Sequence, residues 1–72
     1  MNEKELQLLT KLANNIKSRR IELNLSQEAL AEKCDFDRTY ISLLERCKRN
    51  PRYLNLIKLC EGLEIDIKEL LE

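Results

Sequence analysis

The sequence predicts an all-α fold, five short helices packed as one compact domain over residues 1–72. Three observations point to it. The chain holds one Gly and one Pro among 72 residues and is otherwise rich in Leu, Glu, Lys and Ile, a composition that favours helices over strands. Its apolar residues recur at three- and four-residue steps, the period of a helix with one buried face. Residues that start and stop helices stand at the ends of those stretches. A domain of this size buries only about 60% of the surface its unfolded chain exposes, so every core position counts. With no Trp and 4% aromatic residues, the core has to be built from Leu, Ile and Ala.

The first helix is expected from about Glu3 to Leu23, where Leu6, Leu9, Ala13, Ile16 and Leu23 make one apolar stripe. Asn24 tolerates positive φ better than most residues and should end that helix in the left-handed conformation. Ser26 reads as the N-cap of a second helix, Gln27–Cys34. Asp35 and Phe36 make a turn, and Asp37 caps a third helix, Arg38–Arg46. Residues 47–52, CKRNPR, form a loop because Pro51 stops any helix running through them. A fourth helix covers about Tyr53–Glu61, with Gly62 expected as its C-terminal cap. Asp66 and Glu69 form a capping box led by Asp, opening a short last helix that reaches Leu71. Leu56, Leu59, Leu63 and Ile65 are expected in the core.

The twenty residues from Gln27 to Arg46 fit the spacing of a helix-turn-helix. Leu30, Cys34, Phe36, Ile41 and Leu44 are apolar where two short crossed helices must meet each other and the core, and Ala31 is small where they cross. At about 100° per residue, with Ile41 facing inward, Leu44 and Glu45 lie within roughly 60° of it. Thr39, Ser42, Leu43 and Arg46 fall roughly 100–200° round, with Arg38 at their edge. That outward face suits a DNA major groove. Arg38 can fork onto guanine O6 and N7, Thr39 and Ser42 can reach a base, and Leu43 can meet a thymine methyl. Gln27, at the start of the second helix, is suited to a backbone phosphate. Tyr40, Arg46, Lys48, Arg49 and Asn50 flank the groove face and can grip phosphates, which set register rather than sequence choice.

Net charge at pH 7 is zero, at first sight poor for a nucleic-acid binder. The distribution of charge points the other way. Residues 38–52 carry Arg38, Arg46, Lys48, Arg49 and Arg52 against Glu45 alone, a net of +4. Residues 53–72 carry two lysines against five acids, a net of −3. The basic segment contains and follows the third helix.

The segment LNLSQEALAEKCDFDRTYISLLERCKRNP resembles the phage-repressor and Cro type of helix-turn-helix. Within that superfamily, DRTYIS, ER and RNP resemble the controller proteins of restriction–modification systems. The likeness runs from about Ile16 to Glu72. It implies a phage-repressor-like DNA-binding domain that works as a homodimer on a pseudo-palindromic double-stranded operator, regulating its own transcription by activation and repression. It implies operator contacts by Arg38, Thr39, Tyr40 and Arg46, with Gln27, Ser42 and Asn50 on the backbone. It also implies that Glu45, which the helical wheel turns inward, pairs with Arg20 of the first helix. Relatives have Gly where Asp35 and Cys47 stand, so these two are expected to take left-handed turns. Relatives have a small polar cap where Arg52 stands.

Relatives that activate transcription touch the polymerase sigma subunit with acids at the positions of Glu28 and Glu32, which makes RNA polymerase a candidate partner. Leu54, Ile67 and Leu71 exceed what the core needs and are expected at the dimer interface, setting two recognition helices about 34 Å apart. A phage-type repressor or an antitoxin of the same fold is the alternative, with a protein-binding adaptor behind it. Cys34, Cys47 and Cys60 stand thirteen apart, yet without His or a C-x-x-C pair they do not suit a metal. Cys34 and Cys60 read as core residues and Cys47 as an exposed thiol. No cofactor is expected, and no enzyme, since neither a glycine-rich phosphate loop nor a nucleophile with a base is present. No apolar run approaches the roughly 18 residues of a membrane span, and MNEKELQ is too acidic for a signal peptide, so a cytoplasmic location is expected.

Overall fold

Helices form where the periodic stretches lie. The computed structural model describes all 72 residues, with α1 at Glu3–Glu22, α2 at Gln27–Cys34, α3 at Arg38–Glu45, α4 at Tyr53–Leu63 and α5 at Ile67–Leu70. α1 opens on a reciprocal capping box. The Asn2 side chain accepts the Glu5 N–H at 2.8 Å, and the Glu5 carboxylate accepts the Asn2 N–H at 3.0 Å. Ser26 caps α2 by accepting the Ala29 N–H at 3.0 Å. Asp66 caps α5 through the Lys68 N–H at 3.2 Å, in place of the expected box with Glu69. Asp37 has extended N-cap backbone but its side chain caps nothing. The Tyr40 N–H that it would serve is already taken by the Asp37 carbonyl at 3.0 Å. Arg52 likewise leads α4 without a side-chain cap.

Four of the helices end in one way. Asn24, Asp35, Cys47 and Glu64 all have positive φ, at 58°, 60°, 64° and 53°. After each, the next N–H reaches back five residues: Leu25 to Arg20, Phe36 to Ala31, Lys48 to Leu43 and Ile65 to Cys60, at 2.8–3.1 Å. These are left-handed closures that glycine usually makes, and here no glycine makes any of them. Gly62 is not the cap of α4. It is buried in the last turn of the helix, and a Cβ there would run into the Cys34 sulfur. The missing side chain is what lets α4 lie against α2, and the left-handed position falls two residues on, at Glu64.

An L-residue with a β-carbon is held in the left-handed region at a cost of about 1–2 kcal/mol. Cys47→Gly should therefore raise stability by about 1 kcal/mol, seen as a higher urea midpoint at unchanged slope. A lower midpoint would mean that the thiol, which lies 3.4 Å from the Thr10 hydroxyl, contributes more than its backbone costs.

The core is continuous through Ile16, Leu30, Ala31, Cys34, Ile41, Leu44, Leu59, Cys60, Leu63 and Leu70. Leu9 and Ala13 extend it along α1. Leu56 and Ile65 pack on it half-buried, as does Ile67, whose side chain therefore does not stand free for a partner. Leu6 departs from the expected stripe and is 49% exposed, in a first stretch of α1 where every residue up to Leu8 is exposed. Phe36 is half-buried rather than central, with its ring edge-on to Tyr40 at 4.9 Å. Cys34 and Cys60 are buried as expected, and burial pushes both thiols above the ordinary range. Cys47 is half-buried, not fully exposed.

Polar residues of α1 dock the C-terminal helices. Arg19 donates to the Leu63 and Glu64 carbonyls at 2.9 and 3.0 Å, and Asn15 donates to the Leu70 carbonyl at 2.8 Å. Carbonyls at helix ends lack intrahelical partners, so one helix here completes two others. Lys33 also meets Glu64 at 2.8 Å, and this hydrogen bond holds the Glu64 carboxyl below its usual range. No helix is long and apolar enough to cross a membrane.

Candidate nucleic-acid interface

α2 and α3 share one apolar seam. α2 buries Leu30, Ala31 and Cys34, and α3 buries Ile41 and Leu44. With that face sealed, the rest of α3 turns to solvent. Arg38, Thr39 and Arg46 are exposed, and Ser42 and Leu43 are half-buried at its shoulder. Arg46 itself is the C-cap, one residue past the end of the helix. The uncapped N–H groups of Arg38 and Thr39 lie at the end that carries the positive pole of the helix dipole, which suits a negatively charged partner.

Glu45 is the one acid in this stretch, and the fold removes it from the surface. Its side chain is 3% exposed, and that of Arg20 is 12% exposed. Arg20 grips the carboxylate with two hydrogen bonds, Nε to Oε2 at 2.6 Å and Nη2 to Oε1 at 3.0 Å. Its Nη1 donates to the Leu25 carbonyl at 2.7 Å. The bond to Glu45 raises the Arg20 pKa against the opposing effect of burial. Arg20 thus ties α1, the turn before α2 and α3 at a single point. The ion pair implied by the resemblance is present.

The Gln27 amide joins this cluster, donating to Glu45 Oε1 at 3.1 Å. Gln27 is half-buried, so one of its amide hydrogens is already committed inside the fold. That leaves the second amide hydrogen and the backbone N–H groups at the start of α2 for the phosphate contact expected of Gln27.

Around α3 the cations have no protein partner. Arg38, Arg46, Lys48, Arg49 and Arg52 are all exposed, and none of them forms an ion pair. The protein's three ion pairs belong to Arg19, Arg20 and Lys33. With Glu45 neutralised inside, the outward charge of residues 38–52 is that of five cations. Asn50 is exposed beside them.

Tyr40 is half-buried between the two groups of residues. Its hydroxyl accepts the Asn55 amide at 3.0 Å, and both residues line a cleft of about 640 Å³ with Arg49, Asn50, Arg52, Tyr53 and Leu54. Asn55, Arg52 and Tyr53 were not among the contacts expected from sequence. Arg52 was visible as part of the basic run; for Asn55 the sequence holds no signal, since only tertiary packing brings it to Tyr40.

Glu28 and Glu32 are exposed on α2. Leu54 and Leu71 are 72% and 51% exposed, whereas Ile67 is engaged with the core. Leu54 stands at the wall of the Tyr40 cleft, on α4. Leu71, just past α5, lines a different groove with Leu8, Leu9 and Leu12 of α1.

A family model described as helix-turn-helix matches residues 16–70. Among curated proteins none matches. Solved structures do. The restriction–modification controller protein C.AhdI from Aeromonas hydrophila is 37% identical, over 86% of this chain and 94% of that one, with a TM-score of 0.83. A hypothetical transcription factor from Neisseria is also 37% identical, over 90% and 75% of the two chains, with a TM-score of 0.86. The controller protein C.Esp1396I, solved as a tetramer with its natural 35 base-pair operator, is 41% identical over 90% and 96%, with a TM-score of 0.79. The family match spans well over half of the sequence and the controller structures share its fold: the chain belongs to the helix-turn-helix family.

Proposed function

We propose that this chain is a sequence-specific DNA-binding transcriptional regulator, the autoregulating controller of a restriction–modification system, and not an enzyme. The single observation that carries this reading is the outward face of α3, ringed by five exposed cations with no protein partner while the only acid among them is neutralised by Arg20. Structural relatives that are controller proteins, one of them in complex with an operator, support the biological assignment. The regulator binds a pseudo-palindromic operator as a homodimer, with each α3 in one major groove. Arg38, Thr39, Ser42, Leu43 and Arg46 read base edges. Gln27, Tyr40, Ser42, Lys48, Arg49 and Asn50 hold the backbone. Leu54 and Leu71 supply the apolar part of the dimer contact, with Ile67 only at its margin.

The test is selection of bound duplexes from a random library, followed by comparison with the promoter of the protein's own gene. On the selected duplex Arg38→Ala should weaken binding about ten- to a hundredfold, the discrimination carried by one bidentate guanine contact. On random DNA the same change should cost only a few-fold. Equal losses on both would move Arg38 from base reading to the backbone.

Activation is the finer part of the reading. Glu28 and Glu32 stand one turn apart on the exposed face of α2, suited to a basic surface of the polymerase sigma subunit. Replacing both with Lys should leave operator binding intact and abolish activation in reconstituted transcription. Activation at the normal level would remove these residues from any polymerase contact.

A further inference from the structure

We infer that Asn55 is a positioning residue for DNA binding: by donating to the Tyr40 hydroxyl, it leaves that hydroxyl's proton directed outward, toward a backbone phosphate. The inference rests on the DNA-binding reading above and assigns a role to a residue that does not itself have to touch DNA. A tyrosine hydroxyl carries one proton to donate and lone pairs to accept with, and it rotates to suit its surroundings. In an exposed tyrosine that choice is open. Here it is not. The Asn55 amide N–H fills one acceptor position at 3.0 Å, so the Tyr40 proton cannot point back along the same line and must take the other side of the oxygen.

The ring is fixed as well as the oxygen. Phe36 lies against it at 4.9 Å with the planes 60° apart, and Phe36 is in turn covered by the Lys58 ammonium 5.5 Å above its centre. Both ends of the Tyr40 side chain are therefore held before any ligand arrives. Tyr40 borders a cleft that it shares with Arg49, Asn50, Arg52, Tyr53, Leu54 and Asn55, with two guanidinium groups and no acid among its walls. Such a cleft favours an anionic acceptor. On the helical wheel Tyr40 lies roughly 100° to one side of Ile41, on the flank opposite to Ser42 and Arg46, so it meets the strand beside the groove rather than the bases within it. A phosphate oxygen is the acceptor that fits. A donor whose direction is preset loses less freedom on binding, and an accepted N–H bond strengthens the O–H that is donated onward.

The experiment uses the tightest duplex recovered by selection and the full chain, with Tyr40→Phe, Asn55→Ala and the double variant compared by gel shift. Thermal melting of each variant checks that it is folded. Asn55→Ala should weaken binding about tenfold in the Tyr40 protein, as expected for a disordered charge-assisted hydrogen bond, and less than about twofold in the Tyr40→Phe protein. Asn55→Asp, which keeps the shape but offers only an acceptor, should be at least as damaging as Ala. Phosphate ethylation interference supplies a readout that loss of packing would not mimic. One phosphate whose ethylation blocks the parent protein should lose its effect in Tyr40→Phe and in Asn55→Ala alike. Additive losses, or interference patterns that differ between the two variants, would overturn the role of Asn55 while leaving DNA binding in place. Failure of the parent protein to select any duplex would instead overturn the DNA-binding reading and this inference with it.

Discussion

Glu45→Ala should destabilise the domain by about 3–5 kcal/mol, the usual effect of removing one partner from a buried ion pair. The reason lies in what remains. Arg20 would keep its bond to the Leu25 carbonyl at 2.7 Å but would lose both hydrogen bonds to the carboxylate, and its guanidinium would stay largely out of water. Arg20→Ala should be as harmful, since it leaves a carboxylate that is 3% exposed with only the Gln27 amide to serve it. A domain of this size has about 4–11 kcal/mol of stability in total, so either change brings it close to unfolding at 37 °C. Urea titration followed by circular dichroism measures the loss. Arg20→Met combined with Glu45→Leu should recover much of it, because well-packed apolar residues often replace a buried pair without penalty. If the double variant is as unstable as either single one, the clamp acts through geometry that apolar packing does not reproduce. Operator binding should fall with stability in the single variants, since the same carboxylate fixes α3 to α1 and to the start of α2.

The clamp also shows how far the sequence can be read. Periodicity turned Glu45 inward, but periodicity names no partner; Arg20 came from resemblance, and the structure supplied the bidentate geometry. The helices themselves were legible because their signals are local. Ser26 caps α2, and Asn24 and Asp35 close helices in the left-handed conformation, each within a few residues of the boundary it sets. Gly62 misled for the opposite reason. A glycine near a helix end suits a cap, yet this one answers a demand from Cys34 on another helix, and no local pattern carries that demand. The same holds for the Gln27 amide, which turned to Glu45 on α3, whereas Asp37 lost its capping role locally, to its own carbonyl. At the candidate interface the cations and the groove face were readable from order along the chain. The pairing of Asn55 with Tyr40 was not, because it depends on how α4 lies beside α3.

Salt should act on binding more strongly than any single substitution. A homodimer brings ten cations from residues 38–52 to the duplex, twice the five that each chain leaves without partners. Arg38 and Arg46 face base edges, which leaves Lys48, Arg49 and Arg52 of each chain, six cations in the dimer, for phosphates. The logarithm of affinity should then fall against the logarithm of salt with a slope of about −5. Between 50 and 200 mM this amounts to a loss on the order of 10³-fold. The zero net charge of the chain does not weaken this expectation, because counterion release counts contacts with phosphates and not the charge of the whole protein. The acids of residues 53–72 release no counterions from phosphates, and their longer-range repulsion of the duplex is screened with a Debye length of about 10 Å at 0.1 M. Two substitutions separate these effects. Lys48→Ala with Arg49→Ala should reduce the magnitude of the slope by about 3–4, since each loss counts twice in the dimer. Glu69→Gln with Glu72→Gln should leave the slope unchanged and alter only the association rate at low salt. A slope near zero for the unmodified protein would mean that the basic face of α3 does not meet a phosphate backbone, and would turn the reading toward a domain that uses this fold to hold another protein.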